Sequence, residues 1–475
     1  MFKQRRISKH PVLRFKRGKE VTIFFEGKPL KAFEGESLAA ALYAAGVDVF
    51  RWTPKLGRPR GPFCMVGKCG SCMVEVDGEV VRACITPVKE GMKVRRIKGL
   101  PPINAREAPD AALNPSPLEV DVLIVGGGPA GMAASEILAK EGMSVLLVDD
   151  QPRLGGQLIK QTHIFFGSQE LFAGKRGFRI AEEYEKKLMS LSNLQVMLRT
   201  TALGVFEEGI LITNPEKGAR LVRPKYVVIS TGAFENYLLF ENNDLPGVMG
   251  AGGAQTLMNL YGVLPGKEVV VIGSGNVGLI ITYQLLQAGA GVKAIIEAAP
   301  KIGGWLVHAA KIRRFGVPII TKHTIIAAEG RDRVEAAVIA EVNEKWEPIP
   351  GTEKRIECDT ILLAVGLTPN SELLRQFGVT TKYVPELGGL VPVRNRYMET
   401  NVDGVFVAGD VSGVEEATTA FIEGWIVAYS ILLKENPGNK EWLQERERLV
   451  MMVEEYRSSP VSSKVRSGLR YVEVG

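Results

Sequence analysis

Histidine and cysteine are scarce in this chain of 475 residues, at four and five respectively. His10, His163, His308 and His323 lie far apart and form no cluster, so the sequence gives no basis for a histidine metal centre or a histidine-activated nucleophile. There is no G-x-S-x-G, no H-E-x-x-H and no P-loop, which removes the common routes to ester hydrolysis, zinc proteolysis and P-loop phosphate chemistry. No uncharged apolar run reaches the roughly 18 residues that a membrane span needs. The basic N-terminal stretch MFKQRRISKHPVLRFKRGKE lacks an apolar core and does not read as a secretory signal. A net charge of +6 is spread along the chain rather than gathered in one stripe, so nucleic-acid binding is a poor reading.

Glycine, by contrast, is abundant at 52, and it concentrates in loops that follow apolar strands. At this length two to four domains are expected. Residues 1–98 read as a small α+β unit. VTIFFEG and PLKAF form two strands around a turn, and Glu36-Ser37 opens a helix, SLAAALYAAG, that Gly46 stops. CMVEV and EVVRAC flank Asp77-Gly78 as a hairpin, and MKVRRI supplies a closing strand. Four of the five cysteines fall here, Cys64, Cys69, Cys72 and Cys84, spaced C-x4-C-x2-C-x11-C. Thiols packed this closely in a chain with no evident leader point to a cytoplasmic metal or redox site, not to a disulfide framework. A tight loop carrying three thiols, with a hairpin returning the fourth, suits a 2Fe-2S cluster. Gly67, Gly70 and Ser71 leave room for backbone N–H groups to face the sulfurs. A structural zinc site is the alternative, although zinc sites usually pair two C-x2-C knuckles and only one is present.

Residues 99–118, rich in proline, read as an exposed linker. Beyond it the chain alternates apolar strands with amphipathic helices, as in a doubly wound α/β fold, and one unit occurs twice. The first copy carries Gly126, Gly128 and Gly131 in GGGPAG, with Asp149 ending the next strand. The second carries Gly273, Gly275 and Gly278 in GSGNVG, with Glu297 in the same role. A strand, a glycine turn and a helix N-terminus together cradle a pyrophosphate, and the acid accepts from a ribose. Each turn reports only the ADP half of a ligand. Glu297 would repel a 2′-phosphate, so NAD(H) is expected over NADP(H) in the second copy. A retained fold whose nicotinamide site no longer works is the competing possibility there.

The segment around residues 20–97 resembles the ferredoxin-like β-grasp domain, with all four ligand positions present. TNVDGVFVAGDVSG, with Gly409-Asp410 after an apolar strand, resembles the second flavin motif of the two-dinucleotide-binding flavoproteins, which implies FAD with Asp410 on its ribityl chain. QPRLGGQL, carrying Arg153, Gly155, Gly156 and Gln157, is similar to the loop beside the flavin in that family. The resemblance implies a Rossmann-like FAD domain over 119–240 and 356–435, an NAD(H) domain inserted at 241–355, and a C-terminal helix and tail over 436–475. Disulfide reductases of this fold carry a redox cysteine pair beside the flavin. Cys358 stands alone, so such activity is set aside.

The order of parts resembles the large subunit of multisubunit amine and amino-acid dehydrogenases, including archaeal dye-linked L-proline dehydrogenase, hydrogen cyanide synthase, opine oxidase and sarcosine oxidase α subunits. That resemblance implies a hetero-oligomer in which a separate flavoprotein β subunit oxidises the amine and this chain handles the electrons. FMN lies between the subunits in some members. Several relatives also end in a cysteine-rich iron–sulfur domain. No cysteine follows Cys358, so that cluster is expected to be absent or to reside on a further small subunit. The alternatives are a free-standing NADH-dependent reductase and a scaffold with a vestigial nicotinamide site. The charged segment from Asn439 to Arg457 and the tail beyond it are read as a contact between subunits, with a simple surface helix as the alternative.

Overall fold

A computed structural model describes residues 5–98, 116–165 and 169–474 of the protein. Most of the expected linker lies outside the described residues. The chain divides into two compact units, Met1–Asn104 with Glu235–Gly366, and Ala105–Phe234 with Leu367–Gly475.

The first unit opens with a five-stranded mixed sheet. Its order is Lys28–Phe33, Glu20–Phe25, Lys93–Arg95, Met73–Val76, Glu79–Arg82. Val21, Ile23 and Phe25 alternate inward along their strand, the period-2 pattern of a sheet with one wet face. The expected closing strand takes a different place: Lys93–Arg95 lies mid-sheet, parallel to Glu20–Phe25 and antiparallel to Met73–Val76, which buries Val94. Asp77 and Gly78 both adopt left-handed φ, as the tight hairpin between Met73–Val76 and Glu79–Arg82 requires.

Helix Leu38–Ala44 is capped by Ser37, whose Oγ accepts from the Ala40 N–H at 3.2 Å. Every residue of this helix is buried, because LAAALYA has no polar face and must be covered on both sides. Its second cover is the inserted segment. Tyr43 Oη donates to the Pro265 carbonyl at 2.5 Å, and Leu38, Leu42 and Tyr43 belong to the same core as Leu257, Met258, Val263 and Leu279. The cysteine-bearing fold and the inserted fold thus share one hydrophobic core.

The inserted segment forms a five-stranded parallel sheet, ordered Val248–Gly250, Thr360–Leu363, Glu268–Ile272, Gly291–Ile296, Ile319–Ile320. A three-stranded antiparallel sheet, His323–Glu329, Ala336–Glu341 and Lys354–Glu357, accompanies it. The second unit repeats this plan in one seven-stranded sheet. Leu194–Met197, Val145–Val148, Leu118–Val125, Gly218–Ile229 and Val405–Val407 run parallel, and Gly209–Asn214 and Thr201–Phe206 continue antiparallel from Gly218–Ile229. Val122 to Val125 and Val145 to Val148 are uninterrupted apolar runs because both faces of a parallel strand are covered.

Helix Lys440–Arg457 begins at Asn439, whose Oδ1 accepts from the Trp442 N–H at 3.1 Å. Leu449, Val450 and Val453 join the core of the second unit, and the helix packs along helix Ala417–Glu435. Its apolar stripe is therefore taken up by its own chain, and its charged residues apart from Arg457 face outward. The charged outer face hides that stripe in the sequence.

Candidate cofactor sites

The thiols of Cys64, Cys69, Cys72 and Cys84 converge on one buried spot, Cys69 being the most open of the four. Cys69 and Cys84 donate to Cys64 and hold it well below the ordinary thiol range, and Cys84 also donates to Cys72. The N–H groups of Ser71 and Cys84 point at the sulfurs of Cys69 and Cys72, each at 3.4 Å. Among the described residues no three His, Cys, Asp or Glu side chains are grouped as ligands of one metal ion. The four thiols instead link in sequence, Cys69 to Cys64 to Cys84 to Cys72, with backbone N–H groups on the sulfurs of Cys69, Cys64 and Cys72. That donor set fits a cluster of two irons, each taking two thiolates.

This loop is seated on the inserted fold. The Phe63 carbonyl accepts from the Gly250 N–H at 3.3 Å, and a Cβ at Gly253 would come within 2.2 Å of the same oxygen. The ring of Phe63 stacks on Tyr237 with centroids 4.8 Å apart and planes 20° apart. Burial, with the sulfurs of Cys69 and Cys64 adding to it, pushes the Tyr237 phenol up to about 12.

In the second unit, the Gly127 N–H donates to Asp149 Oδ2 at 2.6 Å, and Asp149 Oδ1 accepts from Gln151 N–H at 2.7 Å. A Cβ at Gly131 would lie 1.9 Å from the Gly126 carbonyl oxygen, so only glycine lets helix Pro129–Lys140 pack this close to its turn. A Cβ at Gly128 would meet nothing within 4 Å, leaving open space where a pyrophosphate fits. Gly155 N–H donates to the Gly127 carbonyl at 2.8 Å, and a Cβ on Gly156 would press to 2.9 Å from Gly128 Cα, so the two-glycine loop lies against the turn. Arg153 and Gln157 are exposed beside it. Asp410 follows Gly409, where a Cβ would come within 3.2 Å of Ala130 Cβ, so its turn lies over the start of the same helix. Asp410 is partly open at its surface yet deep among protein atoms. Burial, countered in part by the Glu415 N–H at 3.3 Å, pushes its carboxyl up to about 7.

The inserted fold builds the same turn from Gly273, Ser274, Gly275 and Gly278. Ser274 N–H and Oγ both donate to Glu297 Oε2, at 2.8 and 2.6 Å, and Glu297 Oε1 accepts from the Ala299 N–H at 2.8 Å. A Cβ at Gly278 would lie 2.0 Å from the Gly273 carbonyl oxygen, and one at Gly275 would meet nothing. The sequence reasoning missed a second two-glycine loop here. Gly304 N–H donates to the Ser274 carbonyl at 2.9 Å, as Gly155 does to Gly127. The signal was available: PRLGG (152–156) and PKIGG (300–304) follow Asp149 and Glu297 at the same interval. Cys358 is elsewhere in this unit, buried, with its thiol pushed up to about 12 by burial and then by Asp359.

Residues 120–424 match the pyridine nucleotide-disulphide oxidoreductase family. The chain belongs to that family and is an oxidoreductase. Residues 18–99 match the 2Fe-2S iron-sulfur cluster binding domain. The chain is 27% identical to the alpha subunit of sarcosine oxidase from Corynebacterium sp. (strain P-1) over 447 residues, 87% of this chain and 45% of that one. It is 29% identical to an opine oxidase subunit of Rhizobium meliloti (strain 1021), across 66% of this chain and 70% of that one. It is similar in structure to L-proline dehydrogenase from P. horikoshii, with a TM-score of 0.70 and 28% identity, over 93% of this chain and 79% of that one. The chain spans less than half the length of the sarcosine oxidase alpha subunits it matches. These matches support the resemblance to amine and amino-acid dehydrogenase large subunits. They also support a flavoprotein fold with a 2Fe-2S domain, and no helix among the described residues is long and apolar enough to cross a membrane.

Proposed function

We propose that this chain is the electron-handling flavin and iron–sulfur subunit of an amine or amino-acid dehydrogenase complex, with L-proline the favoured substrate. The observation that carries the proposal is the seating of a four-thiol loop on the inserted fold that bears a complete second glycine turn, in one chain with a first turn of the flavin type. Gly126, Gly128, Gly131, Asp149, Gly156 and Asp410 would hold FAD, with Arg153 and Gln157 at its edge. Gly273, Gly275, Gly278 and Glu297 would hold NAD(H), and the four cysteines the cluster. FAD would take two electrons together and release them one at a time, and a 2Fe-2S cluster would carry them singly, so a chain holding both suits transfer between two-electron and one-electron partners. The protein's own part is to fix both turns, to keep the sulfurs buried and to aim N–H groups at them. No cysteine falls in 105–234 or 367–475, so the second unit has no thiol pair for disulfide reduction.

Amine oxidation is assigned to a separate flavoprotein subunit, with FMN at their contact as in some relatives of that kind. The test is to express the chain alone and with a candidate flavoprotein partner, then to assay dye reduction with L-proline and sarcosine. The lone chain should carry about two irons and two sulfides and oxidise neither amine, and activity should appear with the partner. Proline oxidation by the lone chain would overturn the division of labour, as would zinc in place of iron and sulfide for the cluster. Glu297, held by three hydrogen bonds, also favours a second reading, a free-standing NADH-dependent reductase. NADH would then bleach the flavin with no partner present.

A further inference from the structure

The second unit buries more charge than its two cofactor motifs account for. Glu423, on helix Ala417–Glu435, is 2% exposed. Its Oε2 accepts from the Gly409 N–H at 2.7 Å and from Ser412 Oγ at 3.0 Å, gripping the Asp410 turn from both sides. Its Oε1 accepts from Arg457 Nη2 at 2.5 Å. Arg457 also binds Glu415 through Nε, at 3.1 Å to each oxygen, and through Nη2 at 2.5 Å. The N–H of Glu415 is in turn the donor to Asp410 Oδ1. Arg394, 1% exposed, sits 3.5 Å from Glu423 Oε1 and 3.1 Å from Glu473 Oε2. An unpaired buried charge is costly, and one guanidinium fork can satisfy two carboxylates in a fixed plane.

Arg457 is the last residue of helix Lys440–Arg457, beyond the segment 120–424 that matches the family. Gly409 itself is held at φ +78, a left-handed conformation that needs support from its surroundings. The only side chain hydrogen-bonding its N–H among the described contacts is Glu423, whose orientation Arg457 sets.

We propose that Arg457 is a positioning residue for the flavin: through Glu423 and Glu415 it fixes the Gly409-Asp410 turn, so that cofactor retention depends on the C-terminal helix. This rests on the assignment of FAD to the first glycine turn. The full chain is prepared unaltered and as Arg457→Met, Arg457→Lys and Glu415→Gln, and FAD affinity, the visible spectrum of bound FAD and the melting temperature of the flavin-free protein are measured. Arg457→Met should weaken FAD at least tenfold and shift the spectrum, with Arg457→Lys recovering part of the loss because the charge remains without the fork. Glu415→Gln should weaken FAD severalfold, and it keeps the test alive if Arg457→Met does not fold. Arg448→Ala, on an exposed part of the same helix paired with Glu445 and Glu170, should leave affinity and spectrum unchanged. FAD affinity and spectrum within twofold of the unaltered chain in Arg457→Met and Glu415→Gln would overturn the proposal. An equal loss in Arg448→Ala would reduce it to a general effect of helix stability and overturn it too. Failure of the unaltered chain to bind FAD would sink the assignment of the first turn and this inference with it, whereas FAD binding indifferent to Arg457 sinks the inference alone.

Discussion

In the turn that starts at Gly126, a backbone N–H reaches Asp149 at 2.6 Å; in the turn that starts at Gly273, the equivalent N–H reaches Glu297 at 2.8 Å. Both are closed by a two-glycine loop, and both need glycine where helix meets turn. The difference lies two strands away. Where the sheet of the second unit ends in Val405–Val407, the chain presents Gly409 and Asp410, tied to the C-terminal helix by Glu423 and Arg457. Where the inserted sheet ends in Val248–Gly250, the following helix start receives Glu235, whose Oε2 accepts from Gly253 N–H at 3.2 Å, and the Phe63 carbonyl of the cysteine loop. The same fold thus turns one edge toward a carboxylate and the other toward the cluster domain. The two turns share one geometry, and the neighbouring edge is where they differ.

The largest expected effect breaks one turn and spares the other. Gly131→Ala would force a methyl into the Gly126 carbonyl, and overpacking of this kind costs about 1–3 kcal/mol, roughly 5- to 150-fold in affinity. FAD content should collapse while NADH binding measured by fluorescence persists, and Gly278→Ala should do the reverse. Parallel loss of both ligands in either variant would show that the turns are not independent.

Glu297→Ala addresses which nucleotide the second turn takes. A fixed carboxylate near a 2′-phosphate disfavours it by about 1–3 kcal/mol in a partly shielded site. Binding isotherms for NADH and NADPH should therefore converge in the variant. An unaltered protein that binds both equally would remove the role given to Glu297.

Both turns were legible from local spacing, because a glycine turn, its helix and its acid lie within one short stretch of chain. The hairpin at Asp77-Gly78 and the Ser37 cap were legible for the same reason. What the sequence hid were contacts made at long range. Lys93–Arg95 took the middle of its sheet through pairings with strands far away in sequence. Tyr43 reached Pro265 and Arg457 reached Glu423, and neither residue belongs to a motif. The repeated PRLGG and PKIGG loops could have been read and were not, since only the first resembled a known flavin loop.

Asp410 supplies a pH test that the second turn lacks. Its carboxyl is raised from the usual 3.8 to about 7, so the native state binds more protons than the unfolded chain between those values. Its contribution to stability is complete at low pH and is lost as pH rises toward 7. Hydroxyls of a bound flavin chain would donate to the ionised form, so binding below pH 7 must expel a proton. FAD affinity should then rise by up to about tenfold per pH unit until pH 7 and level off above it. Asp410→Asn should flatten that profile, while NADH affinity should show no matching step. A flat FAD profile in the unaltered protein would detach Asp410 from the ligand.

The smallest effect concerns the one hydroxyl that separates the two turns. Ser274 occupies the place of Gly127, and its Oγ both donates to Glu297 and accepts from the Gly303 N–H at 3.2 Å. The first turn has no room for it: a Cβ on Gly127 would lie 2.5 Å from Leu154 Cδ2 and 3.1 Å from Asp149 Oδ2. Ser274→Gly would make the second turn resemble the first, removing two hydrogen bonds but keeping the backbone N–H on Glu297. Ser274 is buried, but Glu297 keeps the Ser274 and Ala299 N–H donors, so the net change is about 1 kcal/mol. NADH affinity should fall by roughly fivefold, with its preference over NADPH kept because the carboxylate remains. Loss of that preference would mean that the serine, and not the backbone of the turn, holds Glu297 in place.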